Sequence, residues 1–179
     1  MKRVFVALSG GVDSSVAAKL LLGEGYDVTG VFMKNWTRSI DANGRVYCPW
    51  EEDLAAARAA AAHLGIPLKI YNFEREYHYQ VVRYFFREYS TGRTPNPDVL
   101  CNREIKFGCF WKFAQKHGAD FIATGHYLSG EKDQSYFLWT LTEHDLNHIL
   151  FPVGHLEKRE VRKLAKKFKT DIKDIIYIG

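Results

Sequence analysis

Five apolar residues, Val4-Phe5-Val6-Ala7-Leu8, run directly into Ser9-Gly10-Gly11-Val12-Asp13-Ser14-Ser15, and these into the helical pattern Ser15-Val16-Ala17-Ala18-Lys19-Leu20-Leu21-Leu22. An apolar run that stops at paired glycines and restarts with helical spacing restricts this part of the chain to a buried strand, a tight turn and a helix. Paired glycines let such a turn bring several backbone N–H groups to one point, where the positive end of the helix dipole favours an anion. Ser9, Ser14 and Ser15 add hydroxyl donors, and Asp13 is an acceptor able to orient a metal ion or cap the helix. The turn reads as a phosphate cradle. It is neither a Walker loop nor the dinucleotide fingerprint, because no Gly-Lys-Ser/Thr or Gly-x-Gly-x-x-Gly spacing is present.

The rest of the chain continues the alternation. Strands are expected over 27–33, 67–73 and 120–124, helices over 51–64, 76–89 and 102–117, polar loops over 34–50 and 90–100, and a mostly helical, basic segment from about 133 onward. This pattern predicts an α/β fold, a Rossmann-like open parallel sheet with helices on both faces. Open sheets of this kind bind ligands at the carboxyl ends of their strands, near the switch in strand order, so the Ser9 loop, Met33 and Gly125 are expected to meet at one cleft. A length of 179 residues suits one domain over 1–179. No run of 18 apolar residues occurs, which argues against a membrane span. Three cysteines without disulfide-scaffold spacing fit a reducing compartment, cytoplasmic or, after removal of a targeting peptide, mitochondrial. A formal charge of +4 permits a polyanionic partner without demanding one.

Several segments carry possible chemistry. In Gly92-Arg93-Thr94-Pro95-Asn96-Pro97-Asp98-Val99-Leu100-Cys101-Asn102 two prolines stiffen a loop that could position Asp98 and Cys101. At a helix amino terminus near Arg103 and Lys106, Cys101 would have a lowered thiol pKa; a packed small residue is the competing reading, as a turn or cap role is for Asp98. Thr124-Gly125-His126-Tyr127 follows a strand, with His126 either functional or a satisfied polar residue. Lys132-Asp133-Gln134-Ser135-Tyr136-Phe137 could hold an extruded base or a phosphate, or simply begin a helix. Cys109 reads as core packing, and neither it nor Cys48 belongs to a set with zinc spacing. Over 155–169, seven cationic residues, among them Lys158, Lys163, Lys166 and Lys167, face away from Val161, Leu164, Ala165 and Phe168. That is an amphipathic helix whose basic face is either solvated or a phosphate-backbone contact.

The Ser9 loop is similar to the pyrophosphatase-type loop of ATP-dependent adenylating enzymes, whose fold is of the adenine nucleotide alpha hydrolase type. Together with Phe32-Met33-Lys34-Asn35-Trp36, the Gly92–Asn102 segment, Ile105-Lys106-Phe107, Ala123-Thr124-Gly125-His126-Tyr127, Lys132-Asp133-Gln134-Ser135-Tyr136-Phe137 and Phe151-Pro152-Val153-Gly154, it resembles the tRNA-specific 2-thiouridylases. The resemblance implies a tRNA-uridine 2-sulfurtransferase: ATP adenylates the C2 oxygen of the wobble uridine, and sulfur from a protein sulfur carrier then replaces that oxygen. It implies ATP contacts at Leu8, Ser9, Gly10, Gly11, Val12, Asp13, Ser14, Ser15, Met33 and Gly125, with Mg2+ on the phosphates and no protein ligand set assigned to it. It implies target-base contacts at Asn96, Pro97 and Asp98, tRNA contacts at His126, Lys132, Asp133 and Gln134, and Cys101 as the first catalytic cysteine beside Asp98 and Asp13.

The family's second catalytic cysteine falls in a Gly-Ile-Cys-Phe-Ile-Gly-like string, whereas Ile175-Ile176-Tyr177-Ile178-Gly179 carries Tyr177 there, and no tyrosine holds a persulfide. The excursion between Tyr127 and Lys132 is short, and the chain is expected to correspond to the family's N-terminal catalytic domain without its further C-terminal domains. A partial nucleotide- or tRNA-binding module, and an enzyme of this loop type that adenylates a small molecule, are the alternatives. The sequence assigns no oligomeric state and no membrane partner.

Overall fold

Strand β1 (Arg3–Ala7) is buried on both sides, with Val4 and Val6 in one apolar cluster and Phe5 in the other. A strand this apolar belongs in the middle of a covered parallel sheet, and β1 lies there. It pairs in parallel with β2 (Asp27–Lys34) and β6 (Phe121–Ala123), while β5 (Leu68–Asn72) joins β2 and β7 (Ile149–Leu150) joins β6, giving the order β5-β2-β1-β6-β7. The computed structural model describes residues 1–37, 39–40, 46–47 and 49–169.

Helices cover both faces, as the alternation predicts. Ala18 and Leu21 of α1 (Val12–Gly23) and Ala60 and Ala61 of α2 (Pro49–Leu64) pack on Val4, Val6 and Val28. The opposite face carries two long helical runs. One is α3 (Glu74–Tyr77), a π-helical His78–Val82 and α4 (Arg83–Ser90); the other is α5 (Pro97–Leu100), a π-helical Cys101–Cys109 and α6 (Phe110–Lys116). They bury Val81, Ile105, Phe107, Phe110 and Phe113 against Phe5, Val31 and Ile122. Helix α8 (Lys158–Phe168) lays Val161 and Ala165 on Val12, Val16 and Ala17 of α1, with Leu164 and Phe168 partly buried beside them. The expected amphipathic stripe is therefore the one that packs.

Three expectations need correction. The loop over 34–50 contains a short antiparallel hairpin, β3 (Ser39–Ile40) with β4 (Val46–Tyr47), and α2 already begins at Pro49; Cys48 lies outside the described residues. The loop over 90–100 turns helical at Pro97, whose missing N–H and fixed φ suit the first helical position. The described part of the segment from 133 is not continuously helical: a 3₁₀ turn (Ser135–Leu138) and the single-turn α7 (Glu143–Leu146) precede the edge strand β7, a two-residue element held by its pairing with β6 and carrying no periodicity of its own, and α8 follows it. Among the described residues no helix is long and apolar enough to cross a membrane. Residues 170–179, including Tyr177, lie outside the described residues.

Candidate active site

Strand order reverses at β1: the chain moves outward to β2 and β5, then returns to β6 on the other side. Loops leaving β1 and β6 must separate there, and a cleft of about 390 Å³ opens between them, lined by Leu8, Ser9, Asp13, Ser14, Met33, Asn35, Lys106, Thr124, Gly125, His126 and Gln134 among others. The Ser9 loop, Met33 and Gly125 do converge. Two glycines make the geometry possible. Gly10 has φ +77°, and a Cβ on it would lie 2.4 Å from the backbone of Ala56 and Ala57 in α2. At Gly125 a Cβ would lie 2.9 Å from the Asp13 carbonyl carbon and from the Ser14 nitrogen.

Helix α1 starts at the N-cap Gly11 without a side-chain cap. The amides of its first turn are left for an anion or solvent, at the positive end of the helix. The side chains of this loop do different work from that expected of them. Leu8 and Val12 are buried in the core, so a ligand meets only their backbone. Ser15 is fully buried and donates to Gly11 O at 2.9 Å, and Ser14 Oγ donates to the same oxygen at 3.1 Å. Ser15 thus serves the turn and not a ligand, correcting the reading of three free hydroxyl donors. Ser9 Oγ stays within 3.4 Å of both Ser14 Oγ and Gly11 N.

Asp13 neither caps the helix nor stands alone. Its Oδ1 accepts from Tyr127 Oη at 2.6 Å and from Lys158 Nζ at 2.6 Å. Lys158 is 145 residues away and comes from α8, so α8 braces the loop as well as covering α1. Burial first, then the Asp13 carboxylate, raises the Tyr127 phenol far above its ordinary range, and it remains a donor. Neither partner had been singled out for this role, since pairing across such a separation leaves no local signal.

A second cavity of about 220 Å³, lined by Asp98, Cys101, Asn102, Lys106, His126, Gln134 and Phe137, shares Lys106, His126 and Gln134 with the cleft. Cys101 corrects the sequence reading. The helix starts at Pro97, so Cys101 stands beyond its first turn, where the dipole effect has faded. Burial pushes the Cys101 thiol up, opposed by the Lys106 charge and reinforced by Asp98. Asn96 Oδ1 accepts from the amides of Asp98 and Val99 at 3.0 and 3.3 Å. That N-cap is worth about 1 kcal/mol to the helix, and it commits the Asn96 oxygen to structure. Asp98 is exposed at the cavity mouth, beside Pro97 at the head of the helix.

His126 is buried against Phe107 and Phe151, with Nδ1 2.8 Å from Thr124 Oγ1. Burial, with Lys106 second, lowers its pKa to about 3, so it is a neutral imidazole at ordinary pH. Gln134 is pinned on both sides: its backbone N donates to Tyr127 O at 2.8 Å and its Oε1 accepts from Tyr127 N at 3.1 Å. A third, open hollow joins the cleft through Asp13 and Gln134 and contains Lys132, Asp133 and Lys158. Lys132 and Asp133 are exposed there, and Asp133 Oδ1 accepts from Ser135 N at 2.8 Å. Cys109 is partly buried against the core, its Sγ 3.9 Å from Gln80 Oε1.

Comparison with known proteins points one way. The family model described as tRNA methyl transferase HUP domain matches residues 2–175. The chain is 49% identical to the tRNA-specific 2-thiouridylase MnmA of Nitrosomonas europaea, covering 99% of this chain and 54% of that protein. Its likeness to the protein of the same name from Lactococcus lactis is 48%, covering 99% and 52%. The chain spans about half the length of the curated relatives it matches. Among solved structures, an NMN synthetase from Francisella tularensis aligns with TM-score 0.61 at 17% identity, covering 94% of this chain and 63% of that one. A subunit described as belonging to a tRNA methyltransferase of Methanocaldococcus jannaschii aligns with TM-score 0.60 at 16% identity, covering 93% and 75%. At such identities these two speak for the fold alone.

Proposed function

The chain belongs to the tRNA methyl transferase HUP domain family, and from that premise we propose that it binds ATP in the switch-point cleft, adenylates the C2 oxygen of a wobble uridine in tRNA, and carries the following sulfur chemistry at Cys101. The single observation that supports this most is the adjacency of two cavities. The cleft at the start of α1 and the space lined by Cys101 have Lys106, His126 and Gln134 in common.

ATP fits the cleft on two counts. The uncapped amides of α1 suit the phosphates. Asn35 Oδ1, in the same lining as Met33, is buried with no hydrogen-bond partner among the described residues and suits an amine such as that of adenine. Close approach at Gly125 keeps the wall opposite the loop thin. Magnesium on a nucleotide takes one or two carboxylates together with phosphate oxygens and water. Among the described residues no three His, Cys, Asp or Glu side chains cluster, and Asp13 is the carboxylate at the loop, a donor set that fits an ion carried in on phosphate. When bound it would neutralise charge on the phosphates.

In the first step the uridine O2 attacks the α-phosphorus, the bond to the β-phosphate breaks, and pyrophosphate leaves. The terminal sulfur of a persulfide on Cys101 then bonds to C2 while AMP departs with the former O2, and an external thiol attacks Cys101 Sγ, breaking the S–S bond so that the thiocarbonyl sulfur stays on C2 and Cys101 keeps a disulfide to that thiol. Activation is needed because a carbonyl oxygen leaves poorly until it is phosphorylated. Lys106 lines both cavities, where its charge favours the departing phosphates and a thiolate at Cys101. Neutral His126 offers a hydrogen bond without adding charge. Lys132, Asp133 and Gln134, which line the open hollow beside the cleft, are the proposed contacts for RNA flanking the target nucleotide. A sulfur-carrier protein is the proposed donor, and Asn96, Pro97 and Asp98 the proposed edge met by the base.

The test is pyrophosphate release with and without tRNA. Release that depends on tRNA and disappears in Asp13→Ala supports this reading. Nucleotide binding without release in any mixture refutes it in favour of a binding module, and release driven by a small acceptor refutes it in favour of a different adenylating enzyme.

A further inference from the structure

Asn102 sits beside Cys101 in the chain, is 4% exposed, and has an amide whose two ends meet different fates. Its Nδ2 donates to Phe137 O at 3.3 Å. That carbonyl can only accept, so it fixes which end of the amide faces it. The other end, Oδ1, is buried and has no hydrogen-bond partner among the described residues. Buried carbonyl oxygens are nearly always hydrogen-bonded, since water given up on burial must be replaced. Asn102 and Phe137 both line the cavity of about 220 Å³ that contains Cys101, so the side chain that carries the orphan acceptor is part of that cavity's wall. Lys106 and His126 line the same space, yet neither bonds to Asn102; His126 Nδ1 is taken by Thr124 Oγ1.

We propose that Asn102 Oδ1 accepts a hydrogen bond from N3–H of the target pyrimidine and so selects uridine over cytidine. This rests on the reading of the cavity as the place where the target base is held. Uracil carries its ring donor at N3, adjacent to the C2 that reacts. Cytosine has a lone pair at N3, which in the same pose would face the lone pairs of the amide oxygen. A site built around a hydrogen bond rejects the analogue that lacks it, because the buried group is then left unpaired. The bond also registers C2 relative to Cys101, and drawing the N3 proton toward Asn102 moves electron density onto O2, the atom that attacks phosphorus. Asn102 would touch the base directly, through a side chain already locked by Phe137.

The experiment uses the whole chain with a non-hydrolysable ATP analogue and three anticodon stem–loop RNAs that differ only at the target position: uridine, cytidine or 3-methyluridine. Binding is read by fluorescence anisotropy. The native chain is expected to prefer uridine by about tenfold to a hundredfold over both other RNAs. In Asn102→Ala the uridine RNA should fall to the cytidine level, with affinity for the ATP analogue unchanged. Binding of 3-methyluridine as tight as that of uridine overturns the proposal without recourse to any variant, as does an undiminished uridine preference in Asn102→Ala. A native chain that binds the analogue but no stem–loop overturns the RNA reading, and this assignment with it; binding of all three RNAs alike overturns the assignment alone.

Discussion

Gly125→Ala tests whether the cleft proposed to hold the nucleotide depends on backbone contact between the β1 and β6 loops. The added Cβ would lie 2.9 Å from the Asp13 carbonyl carbon, 2.9 Å from Ser14 N and 3.0 Å from Asp13 Cβ. Atoms in contact normally stand about 3.5–4.0 Å apart, so the loops must part by roughly 0.5–1 Å. Backbone lies on both sides of the clash, and no rotamer change relieves it. Overpacking of this kind costs about 1–3 kcal/mol. For a domain of this size each kcal/mol lowers the midpoint of thermal unfolding by about 2–4 °C, so a drop of roughly 2–12 °C is expected. Because the displaced atoms include amides of the first turn of α1, affinity for an ATP analogue should fall by about tenfold or more. Thermal denaturation and titration calorimetry read the two effects separately. Gly23→Ala is the control: nothing lies within 4 Å of its added Cβ, and the stability should stay level or rise by less than about 1 kcal/mol. A Gly125→Ala chain with native melting temperature and native nucleotide affinity would refute the steric argument and the assignment of this contact to the site.

Burial raises the Cys101 thiol pKa, so below that pKa it is mostly the unreactive SH form. Its alkylation by iodoacetamide should be slower than that of a free thiol at pH 7 and should climb only as pH passes 9; rapid labelling at pH 7 would contradict this. His126, with its pKa lowered to about 3, should show no titration by NMR between pH 5 and 8. The sign of its effect on stability follows: above about 6.5 it contributes nothing, and below that the unfolded chain takes a proton the folded one refuses, so stability declines toward pH 3. Replacing His126 with Gln should flatten that part of the pH–stability curve. If the exposed cations of α8 contact RNA phosphates, changing Lys163, Lys166 and Lys167 to Ala should weaken tRNA binding and reduce the slope of log affinity against log salt by about 2–3; an unchanged slope would leave them solvated.

The elements most legible in the sequence were those whose signals are local. Val4, Phe5 and Val6 form an unbroken apolar run because β1 is covered on both sides, and the glycine pair after it marks the turn whatever surrounds it. Helix α8 could be read from Val161 and Ala165, since a stripe at helical spacing needs only that some surface cover it. The edge strand β7 gave no such sign, because two residues show no period and its hydrogen bonds go to β6. The start of α5 was misplaced because Pro97 and Asn96 serve equally well in a rigid loop and at a helix amino terminus.

Amino-acid order by itself determined the parallel α/β architecture, the glycine-rich turn after β1 and the family, for each rests on short-range pattern or on motifs that keep their identity in any context. Tertiary structure decided the chemistry of individual groups. Asp13 meets Lys158 across 145 residues, Cys101 becomes a partly buried thiol with a raised pKa, His126 is held neutral, and Asn102 is left with an oxygen unmatched among the described residues. Charge state and hydrogen-bond balance depend on what surrounds an atom after desolvation, and those surroundings are assembled from segments far apart along the chain.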